Sequence, residues 1–190
     1  MDTRGKMLDA AEHVMRTKGL ARATTKEIAR ESGFSEAALY KHFRDKTDLF
    51  LAVLRERTPG HLPALLAELA ERPGRGNLRA NLLEVAQTAI EFYGETFPMA
   101  ASIFSEPTLL AAHRNALVER SAGPQHVRDA LAQYLAREQE LGWLAAEADP
   151  TAAAALLLGA CFMQAFLGNF TDQAGPSPES LVDALLARVA

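Results

Sequence analysis

One cysteine, one tryptophan and three tyrosines stand in these 190 residues. The lone Cys161 excludes an intrachain disulfide, and with it the small secreted scaffolds held together by bridges. The histidines His13, His42, His61, His113 and His126 fall at no metal-ligand spacing, and no cysteine cluster supports them. Neither a structural metal nor a metal cofactor is expected, nor any other cofactor. HExxH, GxSxG and a phosphate-cradling glycine loop are also missing, so an enzyme would have to lack every familiar motif. Alternating runs rich in Val, Ile and Thr are absent, which removes β-sheet from the expected architecture. The chain has no Pro/Ser-rich or single-charge tract of the kind that stays disordered. Its start, "MDTRGKMLDAAEHV", places acidic residues and alanines where a signal peptide needs a continuous apolar core, and a cytoplasmic protein is expected. The longest apolar run, "AAAALLLGACFM" at 152 to 163, meets Gln164 and Asn169 before it can reach the roughly 20 residues of a membrane span.

What is present is globular: 48% hydrophobic and 23% charged residues. The net charge of −4 is unevenly placed, with eleven basic against nine acidic residues in 1 to 56 and an excess of six acidic residues beyond. A basic end on an acidic body orients the approach to a polyanion.

Apolar residues recur at three and four spacing almost throughout, so the fold class is all-α. Leu8, Ala11 and Met15 share a face of a first helix ending near Gly19. Two short helices and "DKTDLFLAVLRER" follow, and Pro59, Gly60 and Pro63 then interrupt the chain. That interruption suggests one domain over 1–55 and another over 56–190. In the second, "LPALLAELAER" and residues 77 to 96 are amphipathic, Pro98 and Pro107 are expected to break the next region, and "GPQHVRDALAQYLAREQELG" carries Val127, Leu131, Tyr134, Leu135 and Leu141 on one stripe. Asp149-Pro150 and Ser177-Pro178 each put a capping side chain before a proline, opening helices over about 150–170 and 178–189.

The stretch "TTKEIARESGFSEAALYKHFRDKTDLF" holds the most specific pattern. Thr24 with Glu27 three residues later fits a capping box. Gly33 follows where a reversal needs positive φ, and Ser35 caps a second helix bearing Leu39, Tyr40 and Phe43. Small Ala29 allows close approach while Ile28, Phe34 and Leu39 fill the angle, which is the logic of a helix-turn-helix. In such a motif the second helix enters the major groove of double-stranded DNA. Ser35, Glu36, Ala37 and Ala38 then become candidates for base edges: the alanine methyls for thymine, the Glu36 carboxylate for the cytosine amino group. Thr25, Lys26, Tyr40, Lys41, His42 and Lys46 suit phosphate oxygens, which position without reading sequence.

Over roughly residues 5 to 55 this stretch resembles the N-terminal DNA-binding domain of the TetR family of bacterial transcriptional regulators. The resemblance rests on Ile28-Ala29, Gly33, the "LYKHF" run and Lys46 followed by Leu49. It implies a three-helix DNA-binding domain, a larger helical ligand-binding and dimerisation domain, a homodimer, and repression relieved by a small-molecule effector. By the same resemblance Tyr40 and Lys46 match positions that hold the DNA backbone. Around Ala37 and Ala38 many members carry glycine or a small polar residue, so methyl contacts and DNA shape are expected to weigh more here.

The apolar run at 152 to 163 is expected to be buried, and with "PESLVDALLARV" it resembles the family's four-helix dimer interface. Ala155, Gly159, Phe162, Leu181 and Leu185 are the candidates. For a ligand pocket between the middle helices, Tyr93, Phe97, Phe104, Trp143, Phe162 and Phe166 supply apolar walls and Gln87, His113 and Gln164 polar anchors, which implies a largely apolar ligand. A helical module that grips a partner protein in its grooves is the competing expectation for this body.

Overall fold

The computed structural model describes residues 2–20, 22–120, 122–173 and 175–189, and every regular element among them is a helix. In chain order these are α1 (Thr3–Lys18), α2 (Thr25–Ser32), α3 (Glu36–His42), α4 (Lys46–Glu56), α5 (His61–Ala70), α6 (Leu78–Ile103), α7 (Pro107–Glu119), α8 (Pro124–Glu140), α9 (Pro150–Leu167) and α10 (Pro178–Val189). The helices pack as two units. One comprises Met1–Thr58 with Thr96–Ser121, the other Pro59–Glu95 with Ala122–Ala190. The first thus extends beyond the expected boundary at residue 55 and takes in a segment expected in the second.

That difference originates in α6. A break at Pro98 was expected, yet the helix runs through it to Ile103. Proline removes the N–H that would bond the Gly94 carbonyl and crowds the preceding turn. The helix continues because Met99 and Ile103, one turn apart, bury in the core of the first unit together with Leu109 of α7, and this burial outweighs the lost hydrogen bond. Pro63 likewise lies inside α5, but in its first turn, where a backbone N–H has no helical partner to lose.

In the first unit, Met7, Leu8, Ala11 and Val14 of α1 meet Ile28 and Ala29 of α2, Leu39 of α3, and Leu49, Phe50 and Val53 of α4. Two ion pairs fasten α1 to the end of α4. The Arg4 guanidinium donates to both Glu56 oxygens at 2.6 and 2.8 Å, and Arg57 Nε donates to Asp9 at 2.9 Å. The hydrogen bonds from Arg4, and to a lesser degree Arg55, hold the Glu56 carboxyl down at about 2. Arg4 also stacks its charge 5.3 Å from the Phe43 ring centroid, so one side chain joins α1, α4 and the residue that ends α3.

The second unit packs α8 against α5 and α9, with α10 on α9. Leu62, Leu66, Leu82, Val85, Leu131, Tyr134, Leu157 and Cys161 are buried in its core. A polar chain crosses that core. Asn81 Nδ2 donates to the Tyr134 hydroxyl at 2.8 Å, Tyr134 pairs with the buried Glu138, and Glu138 accepts the Gly74 backbone N–H at 2.8 Å. The "PGRG" turn is thereby pinned to α8, and burial pushes the Tyr134 hydroxyl up to about 12. Burial also raises the Cys161 thiol to about 11, which keeps it protonated and unreactive at neutral pH.

Within a single chain the apolar run at 152 to 163 is covered on one face. Ala153, Ala154, Leu157, Leu158, Cys161 and Ala165 form the buried stripe of α9. The opposite face leaves Leu156 67%, Met163 54%, Leu167 45% and Phe162 42% exposed. Within one chain, helices cover only one side of α9. This 18-residue helix has a mean hydropathy of 1.7 and meets the length and composition of a membrane span, but its buried stripe packs against neighbouring helices of the same unit.

Candidate nucleic-acid interface

The helix-turn-helix is built by caps at each end. Thr24 Oγ1 accepts the Glu27 N–H at 3.2 Å and opens α2. The Glu27 carboxylate is hydrogen-bonded by Lys18, and this, with a smaller effect from the Thr24 backbone N–H, lowers its pKa. At the other end Gly33 sits at φ 74°, ψ 19°. Its N–H donates to Arg30 O at 3.2 Å while Phe34 N–H reaches back to Ala29 O at 3.0 Å, the paired bonds of a Schellman cap. Ser35 Oγ then accepts the Ala38 N–H at 3.1 Å and starts α3. Asp45 accepts the Asp48 N–H at 2.8 Å and starts α4.

Gly33 is needed for its backbone. An added Cβ would meet nothing within 4 Å, so any penalty is conformational. Gly33→Ala is expected to lower stability by about 1–2 kcal/mol, the cost of placing an L side chain in the left-handed region. Denaturant unfolding at unchanged helicity checks it, and an unaltered midpoint would mean that the turn tolerates another geometry.

Leu39, 1% exposed, anchors α3 to the core. The opposite surface carries the expected base-edge residues. Ser35, Glu36 and Ala37 are exposed, but Ala38 is half-buried and packs against the core with Phe34, which reduces what it can offer to a groove. The expected phosphate residues Lys26, Tyr40, Lys41 and His42 are exposed on the same motif. Lys46 is half-buried, with its ammonium 5.1 Å from the Phe50 ring centroid. Thr25 is half-buried and bridges the two helices. It accepts the Tyr40 hydroxyl at 3.4 Å and donates its own proton to the Glu36 carboxylate. Arg44, at the corner between α3 and α4, was not assigned a contact from the sequence. Its side chain is 86% exposed and pairs with Asp48 at 3.6 Å, and its place directly before the Asp45 cap was the available signal.

The expected ligand residues are less gathered. Tyr93 and Phe162 meet edge to face at 5.4 Å, and Phe166 lies 5.0 Å from Phe170. Gln164 lines a cavity of about 640 Å³ in the second unit, walled by Ile90, Met163, Leu167 and Leu181. Gln87 and Trp143 are exposed elsewhere in that unit. Phe97, Phe104 and His113 belong to the first unit, where Phe104 is 70% exposed and burial lowers the His113 pKa. Of the expected dimer residues, Ala155, Gly159 and Phe162 are exposed, Leu181 is half-buried, and Leu185 sits in its own core. Among the described residues no group of three or more His, Cys, Asp or Glu could hold a metal ion.

Residues 7–53, which contain this motif, match the model for bacterial regulatory proteins of the tetR family. The chain is 29% identical over 140 residues to the HTH-type transcriptional regulator YvkB of Bacillus subtilis, covering 74% of this chain and 69% of that one. It is 37% identical over 73 residues to the HTH-type transcriptional repressor BepR of Brucella suis, a match spanning 38% of this chain and 35% of BepR. Its fold matches that of a TetR-family transcriptional regulator from Mesorhizobium loti with a TM-score of 0.77 and 21% identity, over 99% and 96% of the two chains. These relatives are regulators of transcription, not enzymes. The capped turn at Gly33, the anchored α3 and the agreement of sequence and fold have one explanation: residues 7–53 are a DNA-binding domain of the tetR family of bacterial regulatory proteins, on a chain whose fold is that of a TetR-type regulator.

Proposed function

We propose that the protein is a cytoplasmic, homodimeric repressor that binds a near-palindromic operator through α3 and is released by a small, largely apolar ligand. The observation that carries the DNA reading is the exposed face of α3, where Ser35, Glu36 and Ala37 lie beside Lys41 and His42 on a helix fixed from behind by Leu39. Two copies related by a two-fold axis would set their recognition helices into successive major grooves, with half-site centres about 34 Å apart or a multiple of it. The exposed apolar face of α9 supports self-association, because such a face is costly to leave in water. Repression is proposed by analogy with BepR. For the effector, the cavity beside Gln164 supplies apolar walls with the side chains of Gln164, Thr171, Asp172 and Gln173 as polar anchors. Among the expected ligand residues only Gln164 lines that cavity, so Tyr93 and Phe162 would act as a neighbouring aromatic wall.

Selection of bound duplexes from a random library, at fixed near-physiological salt, tests the reading. Wild type is expected to enrich an inverted repeat, and a folded Tyr40→Ala variant to enrich nothing. Lys46→Ala is expected to weaken binding to all sequences alike and to reduce the slope of log affinity against log salt by about 1 per subunit, as for one lost phosphate contact. A slope identical to wild type would remove Lys46 from the backbone contacts.

A further inference from the structure

The hydroxyls of Thr25 and Tyr40 and the carboxylate of Glu36 form one directed chain across the face that meets DNA. Tyr40 donates its proton to Thr25 Oγ1 at 3.4 Å, and Thr25 donates its own to Glu36 Oε1. A hydroxyl has a single proton to give. While the chain is intact, neither Thr25 nor Tyr40 can donate to a phosphate oxygen. The Glu36 carboxylate is the acceptor at the end of that chain.

We infer that Glu36 is an internal competitor for the phosphate-binding hydroxyls, a penalty on all DNA that is offset only where the operator presents a cytosine amino group. This rests on the DNA-binding reading above. Docking Thr25 and Tyr40 on the backbone opens the chain and frees Glu36 in the first turn of α3, close to phosphates that repel it. The groove edge offers donors to a carboxylate only as the exocyclic amino groups of cytosine and adenine. In adenine that donor adjoins the N7 acceptor, which repels an anion, whereas in cytosine the neighbouring edge atom is a C–H. Selectivity arises here from an unfavourable term that wrong sequences fail to relieve. Thr25 is a positioning residue in this scheme, since it holds the carboxylate on the DNA face in the free protein.

Glu36 is exposed and makes no core contact, so its variants should fold. Affinity for a fixed non-operator duplex and the base-preference profile from library selection are measured for wild type, Glu36→Ala, Glu36→Gln, Thr25→Val and the double variant Thr25→Val/Glu36→Ala. Glu36→Gln, which keeps an acceptor for Thr25, is expected to bind non-operator DNA about fivefold more tightly, the factor for one like-charge contact removed in water, and Glu36→Ala, which also releases the hydroxyls, more tightly still. Glu36→Ala should also lose a C·G preference at one position in each half-site. In the Thr25→Val background the gain from Glu36→Ala should shrink to the like-charge part, because the Thr25 hydroxyl is gone and the Tyr40 hydroxyl is already released, and Thr25→Ser should restore the full gain. Unchanged affinity and profile in Glu36→Ala, with wild type still enriching an inverted repeat, would overturn the inference and leave the regulator reading intact. Tighter non-operator binding with an unaltered profile would overturn it too, since the penalty would then select nothing. If folded wild type and variants all retain no duplex, the regulator reading falls and this inference with it.

Discussion

Replacing Leu156 with glutamate, alone or with Phe162→Glu, is expected to convert the proposed dimer to a monomer and weaken operator binding by about three orders of magnitude. Leu156 is 67% exposed and Phe162 42% exposed on the face of α9 turned away from its own core. Burying each against a second copy would contribute about 1.5–3 kcal/mol. A carboxylate there would have to be desolvated without a partner, and this opposes association far more strongly than the lost contact alone. The stripe that holds α9 in its own unit, Ala153 to Ala165, is untouched. Leu156→Glu is the cleaner variant, because Phe162 also meets Tyr93 edge to face. The large effect on DNA follows from geometry. A dimer that has placed one recognition helix delivers the second at high effective concentration, and a monomer does not. Sedimentation analysis reads the assembly, and duplex binding reads the affinity together with a salt slope expected to fall by about half as the neutralised phosphates halve. A variant that stays dimeric would place the interface elsewhere. A monomer with wild-type operator affinity would mean that one half-site suffices.

The parts of this molecule that local chemistry dictates were legible in its sequence. Thr24, Ser35, Asp149 and Ser177 each cap the helix they were expected to cap, because a side-chain oxygen two or three residues before an orphan N–H acts regardless of the rest of the fold. Gly33 adopts the left-handed turn for the same local reason. What the sequence concealed depends on distant partners. Pro98 looked like a break because its effect on the backbone is local, whereas the burial of Met99 and Ile103 that carries α6 through it is tertiary. An unbroken apolar run gives no period from which to tell which face of α9 is covered, so the exposed side at Leu156 and Met163 could not be separated from the buried side at Leu157 and Cys161. Aromatic residues serve cores and pockets alike. The dispersal of Phe104, Trp143 and Tyr93 over different surfaces was therefore not readable from spacing. The hydroxyl chain from Tyr40 to Glu36 joins side chains up to 15 positions apart, and only the angle between α2 and α3 brings them together.

Leu39→Ala is expected to lower the stability of the first unit by about 2–5 kcal/mol and to abolish operator binding while leaving the proposed dimer assembled. Leu39 is the one buried residue of α3, a helix of seven residues. A helix that short has almost no stability of its own, so packing against α2 and the rest of the core must hold it. Removing three carbons leaves a cavity under the surface that carries Ser35, Glu36 and Tyr40, and α3 loses both its anchor and its fixed angle. Small displacements matter here because base contacts tolerate little error in position. The chain supplies its own control, since its single tryptophan, Trp143, lies in the second unit. Denaturant unfolding followed by far-ultraviolet circular dichroism samples all helices, while Trp143 fluorescence reports the second unit. If the units unfold independently, Leu39→Ala should move an early dichroism transition and leave the fluorescence midpoint in place. If both signals shift together, helix α6, which contributes residues to both cores, links the units into a single cooperative transition. The same substitution would then report how far a change at the DNA-facing helix is felt in the body that is proposed to hold the ligand.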